Sequence, residues 1–175
     1  MSGPSGVGKG TMLAQLRARY PDLVYSVSAT TRAPRPGEMD GMSYRFVTDA
    51  EFDQLVAADG LLEWAQYAGT RYGTPKQPVH AALNRGHTVL LEIDLAGARQ
   101  VRHTYPEAVQ VFIAPPSWDE LARRLRDRGA MAPAQMDARL AAAKAELAAQ
   151  DEFDHVIVND NLTRAVDDLV NFLGL

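Results

Sequence analysis

The first nine residues with chemistry in them are Gly3-Pro4-Ser5-Gly6-Val7-Gly8-Lys9-Gly10-Thr11. Glycines at these spacings let the backbone turn sharply and aim successive N–H groups at one point, where phosphate oxygens fit. Lys9 supplies a point charge for β- and γ-phosphates. A helix following Lys9 presents its positive N-terminal end to the same anion. The plain alternative is a glycine-rich turn with an exposed lysine, and the full spacing from Gly3 to Gly8-Lys9 argues against it. Gly10 stands where a Ser or Thr usually offers a hydroxyl to Mg²⁺. Thr11 is next, so the sequence predicts a metal held largely through water and phosphates.

A second anion site is predicted in Ser28-Ala29-Thr30-Thr31-Arg32-Ala33-Pro34-Arg35-Pro36-Gly37-Glu38. Arg32 and Arg35 lie close together on a proline-stiffened loop and can clamp a phosphate through parallel N–H···O bonds. Tyr44 and Tyr72 lie in segments that would face the same space. Two arginines in a loop are by themselves more often simply solvated.

These residues need a scaffold, and the chain supplies an ordinary one. Its 175 residues suit one compact domain. They are 46% hydrophobic and 23% charged, which supports a folded core. The net charge of −4 argues against general affinity for nucleic acid or anionic membrane, so a polyanion needs a local basic cluster. There is no cysteine, which excludes disulfides and thiolate metal sites. No membrane-spanning run or basic leader is apparent, and a cytoplasmic location is expected.

Apolar strand-like runs alternate with helical stretches. Strands are predicted over 23–28, 61–67, 88–93, 110–114 and 155–158. Helices are predicted from Thr48 to Gly60, over 75–85, 95–104, 118–128, 134–149 and 163–172. Thr48 with Glu51, and Ser117 with Glu120, fit capping boxes. Pro133 is placed to start a helix. The alternation predicts an α/β fold with a mostly parallel sheet covered on both faces. Trp64 and Trp118 are expected as core anchors. His80, His87, His103 and His155 show no ligand spacing and read as surface or capping residues.

Several motifs in order resemble the guanylate kinases over essentially the whole chain: SGPSGVGKGT, SVSATTRAPRPGE, LLEWAQYAGTRYGTP, LLEIDLAGAR, FIAPPSWDEL and VIVND. The resemblance implies a P-loop core of about 1–28, 79–118 and 148–175, a GMP-binding insert of about 29–78 and a lid of about 119–147. It implies phosphate ligands for GMP at Arg32, Arg35, Tyr44 and Tyr72, and guanine contacts at Ser28, Glu63, Thr74 and Asp94. ATP would be held by Gly3 through Thr11, with Asn159 near its adenine. Lys9, Arg35, Arg128 and Arg139 would form the electrostatic cage, with Mg²⁺ accompanying ATP. The implied activity is ATP-dependent phosphorylation of GMP and dGMP. Two alternatives remain at this point: a phosphoprotein-binding domain that has lost catalysis, and a kinase for another small phosphorylated acceptor.

The chemistry of the residues fits the guanine assignment. Guanine offers N1–H and N2–H₂ side by side, and the carboxylate of Glu63 accepts from both. Adenine would face it acceptor to acceptor. Thr74 or Ser28 can donate to guanine O6. Asp94 closes an apolar strand and also reads as the N-cap of the next helix.

Two departures from the family pattern stand out. Arg128 to Ala134 lacks the Thr-Glu pair that commonly follows the lid glycine, which predicts altered closure. Only Met1 and Ser2 precede Gly3, and two extended residues span at most about 7 Å. The first core strand is therefore expected to be missing, with strands 88–93 and 110–114 left short of partners.

Overall fold

The computed structural model describes residues 1–67, 69–127 and 132–175. They form two compact units, Met1–Pro21 with Val109–Leu175, and Asp22–Ala108. No helix among the described residues is long and apolar enough to cross a membrane.

In the first unit the glycine-rich loop runs into α1 (Lys9–Arg19). Strand β7 (Val111–Ala114) pairs in parallel with β8 (His155–Val158), Val111 opposite His155 and Ala114 opposite Val158. Helices α5 (Trp118–Asp127), α6 (Pro133–Ala148) and α7 (Leu162–Leu173) complete the unit. On α7, Ala165, Val166, Leu169 and Val170 are buried, one stripe at helical spacing. Met12 and Leu16, one turn apart on α1, are fully buried, and α1 packs on α7. Truncating a side chain such as Leu169 there costs about 2–5 kcal/mol. Asn161 caps α7 by accepting from the Arg164 N–H, and Pro133 opens α6 as its spacing predicts.

The backbone just before the loop makes a single parallel bridge. The Ser2 N–H donates to Val111 O at 2.9 Å, and the Ile113 N–H donates to Ser2 O at 2.8 Å. Met1 and Ser2 are both buried.

In the second unit β1 (Val24–Tyr25) pairs in parallel with β6 (Val89–Leu90), each shorter than its apolar run suggests. The larger sheet has the order β3 (Arg45–Phe46), β2 (Ala29–Thr30), β5 (Thr70–Pro75), β4 (Leu61–Tyr67). β1–β6, β2–β3 and β7–β8 are parallel, as the alternation of strands and helices predicts, and β2–β5 and β4–β5 are antiparallel. Tyr67 pairs with Thr70, and so short a connection permits only a hairpin. Helices α2 (Asp49–Ala57), α3 (Lys76–Leu83) and α4 (Leu95–Thr104) flank these strands.

The capping box at Thr48 forms in full: the Glu51 N–H donates to Thr48 Oγ1 at 3.2 Å, and the Thr48 N–H to Glu51 Oε2 at 2.7 Å. The one at Ser117 forms by half. Ser117 Oγ accepts from the Glu120 N–H, while the Glu120 carboxylate goes to Arg123 and Arg124, which hold it down to about 2. Trp64 is 39% exposed rather than a core anchor. It alternates along β4 with buried Glu63, so its ring turns to the opposite face, edge-on to Phe52 at 6.1 Å. Trp118 is half-buried, with the Lys144 ammonium 5.0 Å from its ring. Of the histidines, His155 stacks on Phe172 with centroids 4.2 Å apart.

Candidate active site

The glycine-rich loop is built around contacts that tolerate no side chain. Gly8 has φ 101°, and a Cβ there would lie 2.5 Å from Asn159 Nδ2. Gly3 has φ 142°, and its Cβ would lie 2.3 Å from Ile113 O. Buried Asn159 is held at the end of β8 by its N–H to Ala114 O at 2.8 Å. Its side chain donates to Val7 O at 2.8 Å, so it fixes the loop from below. The Lys9 ammonium donates to Gly3 O at 2.5 Å and Pro4 O at 3.3 Å, which holds the charge over the loop. No acidic residue occupies the first turn of α1, so its positive end is uncompensated there. A Cβ at Gly10 would meet nothing within 4 Å, so packing does not require glycine there. The neighbouring Thr11 is exposed.

Arg124 is a residue that the sequence reading missed. Its guanidinium donates to Val7 O at 3.4 Å and Asn159 O at 3.3 Å, and to Glu120 at 2.8 Å. It thus sits against the loop and is oriented by a carboxylate one turn away. The i,i+4 spacing of Glu120 and Arg124 was visible, but nothing in the sequence placed that pair beside the loop. Arg139, on α6, is half-buried and has no hydrogen bond or ion pair among the described residues. Arg128, and the lid stretch through Met131, lie outside the described residues.

The second unit gathers the other predicted residues. Thr30 on β2 pairs with Tyr72 on β5, and Thr74 follows two residues along the same strand. Tyr72 and Thr74 therefore share one face, about 7 Å apart. Tyr44, next to β3, packs edge-on against Tyr72 with centroids 6.0 Å apart. The Arg32 guanidinium lies 4.9 Å from the Tyr44 ring centroid and 5.7 Å from that of Phe46. Arg32, Tyr44 and Tyr72 thus form one cluster.

Glu38 organises the loop in a way its spacing alone did not show. Arg32 donates to both Glu38 carboxylate oxygens at 2.6 Å, and the Arg35 backbone N–H donates to Glu38 Oε2 at 2.8 Å. The fork and the backbone bond hold the Glu38 carboxyl down to about 2. The Arg35 side chain is exposed and makes no hydrogen bond or ion pair among the described residues. The two arginines therefore differ: Arg32 is fixed by a carboxylate, and Arg35 projects.

Glu63 is buried on β4 opposite Thr74. Thr74 Oγ1 donates to Glu63 Oε1 at 2.6 Å. That commits the Thr74 proton, whereas the Ser28 hydroxyl has no hydrogen-bond partner among the described residues. Burial pushes the Glu63 carboxyl up and the Asp94 charge adds to this, while the bonds from Thr74 oppose it. Asp94 does cap α4, accepting from the Gly97 N–H at 2.7 Å.

No group of three or more His, Asp or Glu among the described residues forms a metal cage. The side-chain oxygens of the loop itself are the hydroxyls of Ser5 and Thr11, a donor set that suits Mg²⁺ bound mainly by phosphate and water.

The guanylate kinase family model matches residues 1–174. The chain is 57% identical over 174 residues to the guanylate kinase of Thermobifida fusca, covering 99% of this chain and 89% of that one. It is 59% identical over 171 residues to that of Nocardia farcinica, covering 97% and 89%. A solved guanylate kinase from Anaplasma phagocytophilum superposes with TM-score 0.78 at 34% identity, covering 99% of this chain and 81% of that one. A shikimate kinase from Bacteroides thetaiotaomicron, at TM-score 0.50 and 15% identity over 99% and 96%, shares the P-loop fold alone.

Proposed function

Since this chain belongs to the guanylate kinase family, we propose that it transfers the terminal phosphoryl group of ATP to GMP and dGMP, ATP bound by the glycine-rich loop and GMP by the second unit. The observation that carries the acceptor assignment is the buried Glu63–Thr74 pair, on the strands that also bring Tyr72 to Arg32. A buried carboxylate is costly without donors, and guanine supplies two at the right spacing. Base and phosphate are the same in GMP and dGMP, so both are substrates.

Phosphoryl transfer asks the protein mainly for in-line positioning and charge neutralisation. Lys9 and the N-terminal end of α1 neutralise the ATP phosphates. Asn159 and Arg124 keep the loop in the shape that aims its N–H groups. Arg35 takes the acceptor phosphate by its free fork, and Arg32, Tyr44 and Tyr72 orient it. Arg128 and Arg139 contribute positive charge from the lid side. The acceptor is already an anion, so no general base is required. Mg²⁺ carried in with ATP supplies further charge neutralisation, and Thr11 is the loop residue suited to hold it or its water.

A coupled ADP-release assay tests the reading. GMP and dGMP are turned over, and AMP, CMP and UMP are at least about 10²-fold poorer in kcat/KM. No ADP release with GMP, or equal release with AMP, contradicts it.

The Glu63 environment adds a pH signature. Its carboxyl is raised, and guanine binds the ionised form, so GMP binding releases a proton wherever the free carboxyl is partly protonated. GMP affinity accordingly falls on acidification through that raised value. The sign for stability is the reverse: a raised carboxyl makes a contribution that is present at low pH and lost as pH rises through its folded value. Calorimetry from about pH 8 to about pH 5 shows the affinity loss in the parent. Glu63→Gln retains only the part due to the nucleotide's own phosphate. Parallel curves for the two proteins would remove Glu63 from the explanation.

A further inference from the structure

β4 is an edge strand, and its outward backbone groups at Trp64 are met by one side chain. The Trp64 N–H donates to Gln100 Oε1 at 3.1 Å, and Gln100 Nε2 donates to Trp64 O at 2.8 Å. The amide thereby substitutes for a neighbouring strand. It does so one residue after Glu63, and β4 is irregular on the other side of Glu63. Leu61 pairs with Pro75 and Glu63 with Thr74, so an extra residue intervenes on β4. Such a bulge re-aims side chains and loosens the local ladder.

Gln100 stands on α4, whose N-cap is Asp94. One turn before Gln100, Gly97 presses against Glu63. A Cβ at Gly97 would lie 2.5 Å from Glu63 Oε2 and 3.0 Å from its Cδ. The helix is thus joined to β4 at two places, by close approach at Gly97 and by the amide at Gln100. Glu63 and Asp94 come from different elements, and Asp94 is one of the causes that raise the Glu63 carboxyl.

We propose that Gln100 is a positioning residue for base selection, tying β4 to α4 so that Glu63 and Asp94 keep the spacing a guanine ring requires, with Gly97 giving the approach. This rests on the reading of Glu63 and Asp94 as base contacts. Gln100 touches no substrate; it acts through the Trp64 backbone.

Gln100→Met keeps the bulk and removes both hydrogen bonds to Trp64, with the longer one to Ala96 O. The KM for GMP rises roughly tenfold and the GMP-to-AMP ratio of kcat/KM falls with it, while the KM for ATP and kcat at saturating GMP stay within about twofold. Gly97→Ala, which displaces the Glu63 carboxylate and keeps a good helix former, produces the same selective loss. A parental GMP KM and ratio in Gln100→Met overturn the proposal. So does an equal rise in the KM of GMP and of ATP with a lowered melting temperature, which marks a general structural role. If Gln100→Met does not stay folded at the assay temperature, Gly97→Ala decides, and parental selectivity there overturns it. Glu63→Gln, assayed alongside, separates the two levels. Unchanged selectivity in Glu63→Gln sinks the base-reading premise. Collapsed selectivity there with parental Gln100→Met and Gly97→Ala sinks this inference alone.

Discussion

Lys9→Ala lowers the rate of phosphoryl transfer by about 10²–10³-fold or more and leaves GMP affinity within about twofold. The reason lies in where the charge is held. The Lys9 ammonium sits over the loop carbonyls of Gly3 and Pro4, in the unit that contains the loop. Arg32, Arg35, Tyr44 and Tyr72 belong to the other unit. Removing Lys9 takes a positive charge from the ATP phosphates, where negative charge shifts during transfer, and leaves the residues assigned to GMP as they are. Arg35→Ala does the converse. Its exposed guanidinium is the projecting member of the pair, so GMP binding weakens roughly tenfold or more and ATP binding is spared. Calorimetry with each nucleotide checks both. Equal loss of GMP and ATP affinity in Lys9→Ala contradicts the division of labour.

Glu63→Gln lowers kcat/KM for GMP by about 10²-fold and brings it towards the value for AMP. An amide has one acceptor and one donor group. It cannot accept from both guanine N1–H and N2–H₂, and its NH₂ opposes one of them. The Thr74 hydroxyl, which donates to the carboxylate at 2.6 Å, can still donate to the amide oxygen. The fold is therefore retained, because Gln is close in size to Glu and the substitution removes a buried charge that is costly in the absence of ligand. Steady-state kinetics with GMP and AMP, together with a melting curve, check both parts. A stable Glu63→Gln with parental discrimination would refute the role of the carboxylate.

What was legible in the sequence was local. Gly3 and Gly8 announce a loop because their backbone and the approach of Ile113 and Asn159 allow nothing larger. Thr48 with Glu51, and Asp94 before α4, mark helix starts through bonds that span a few residues, and Pro133 marks one through its fixed φ and missing N–H. What was hidden depends on pairing at long sequence separation. The antiparallel β2–β5 pairing joins residues some 40 positions apart, and no periodicity reveals it. The exposure of Trp64 follows from which face of β4 Glu63 takes, and that is fixed by the bulge after Leu61. Arg124 reads as one more helix-surface arginine until α5 is placed against Val7 and Asn159. The commitment of the Thr74 proton and the Glu38 fork on Arg32 required side-chain positions that no spacing rule provides.

In this reading a buried carboxylate selects the acceptor by the donors on its base edge. The comparison of kcat/KM for GMP, IMP and AMP under one set of conditions tests it most directly. IMP keeps N1–H and lacks the 2-amino group, and AMP has an acceptor at N1. A graded series is expected, GMP above IMP by roughly tenfold or more and IMP above AMP by a further step. IMP equal to GMP, or AMP equal to IMP, would contradict it.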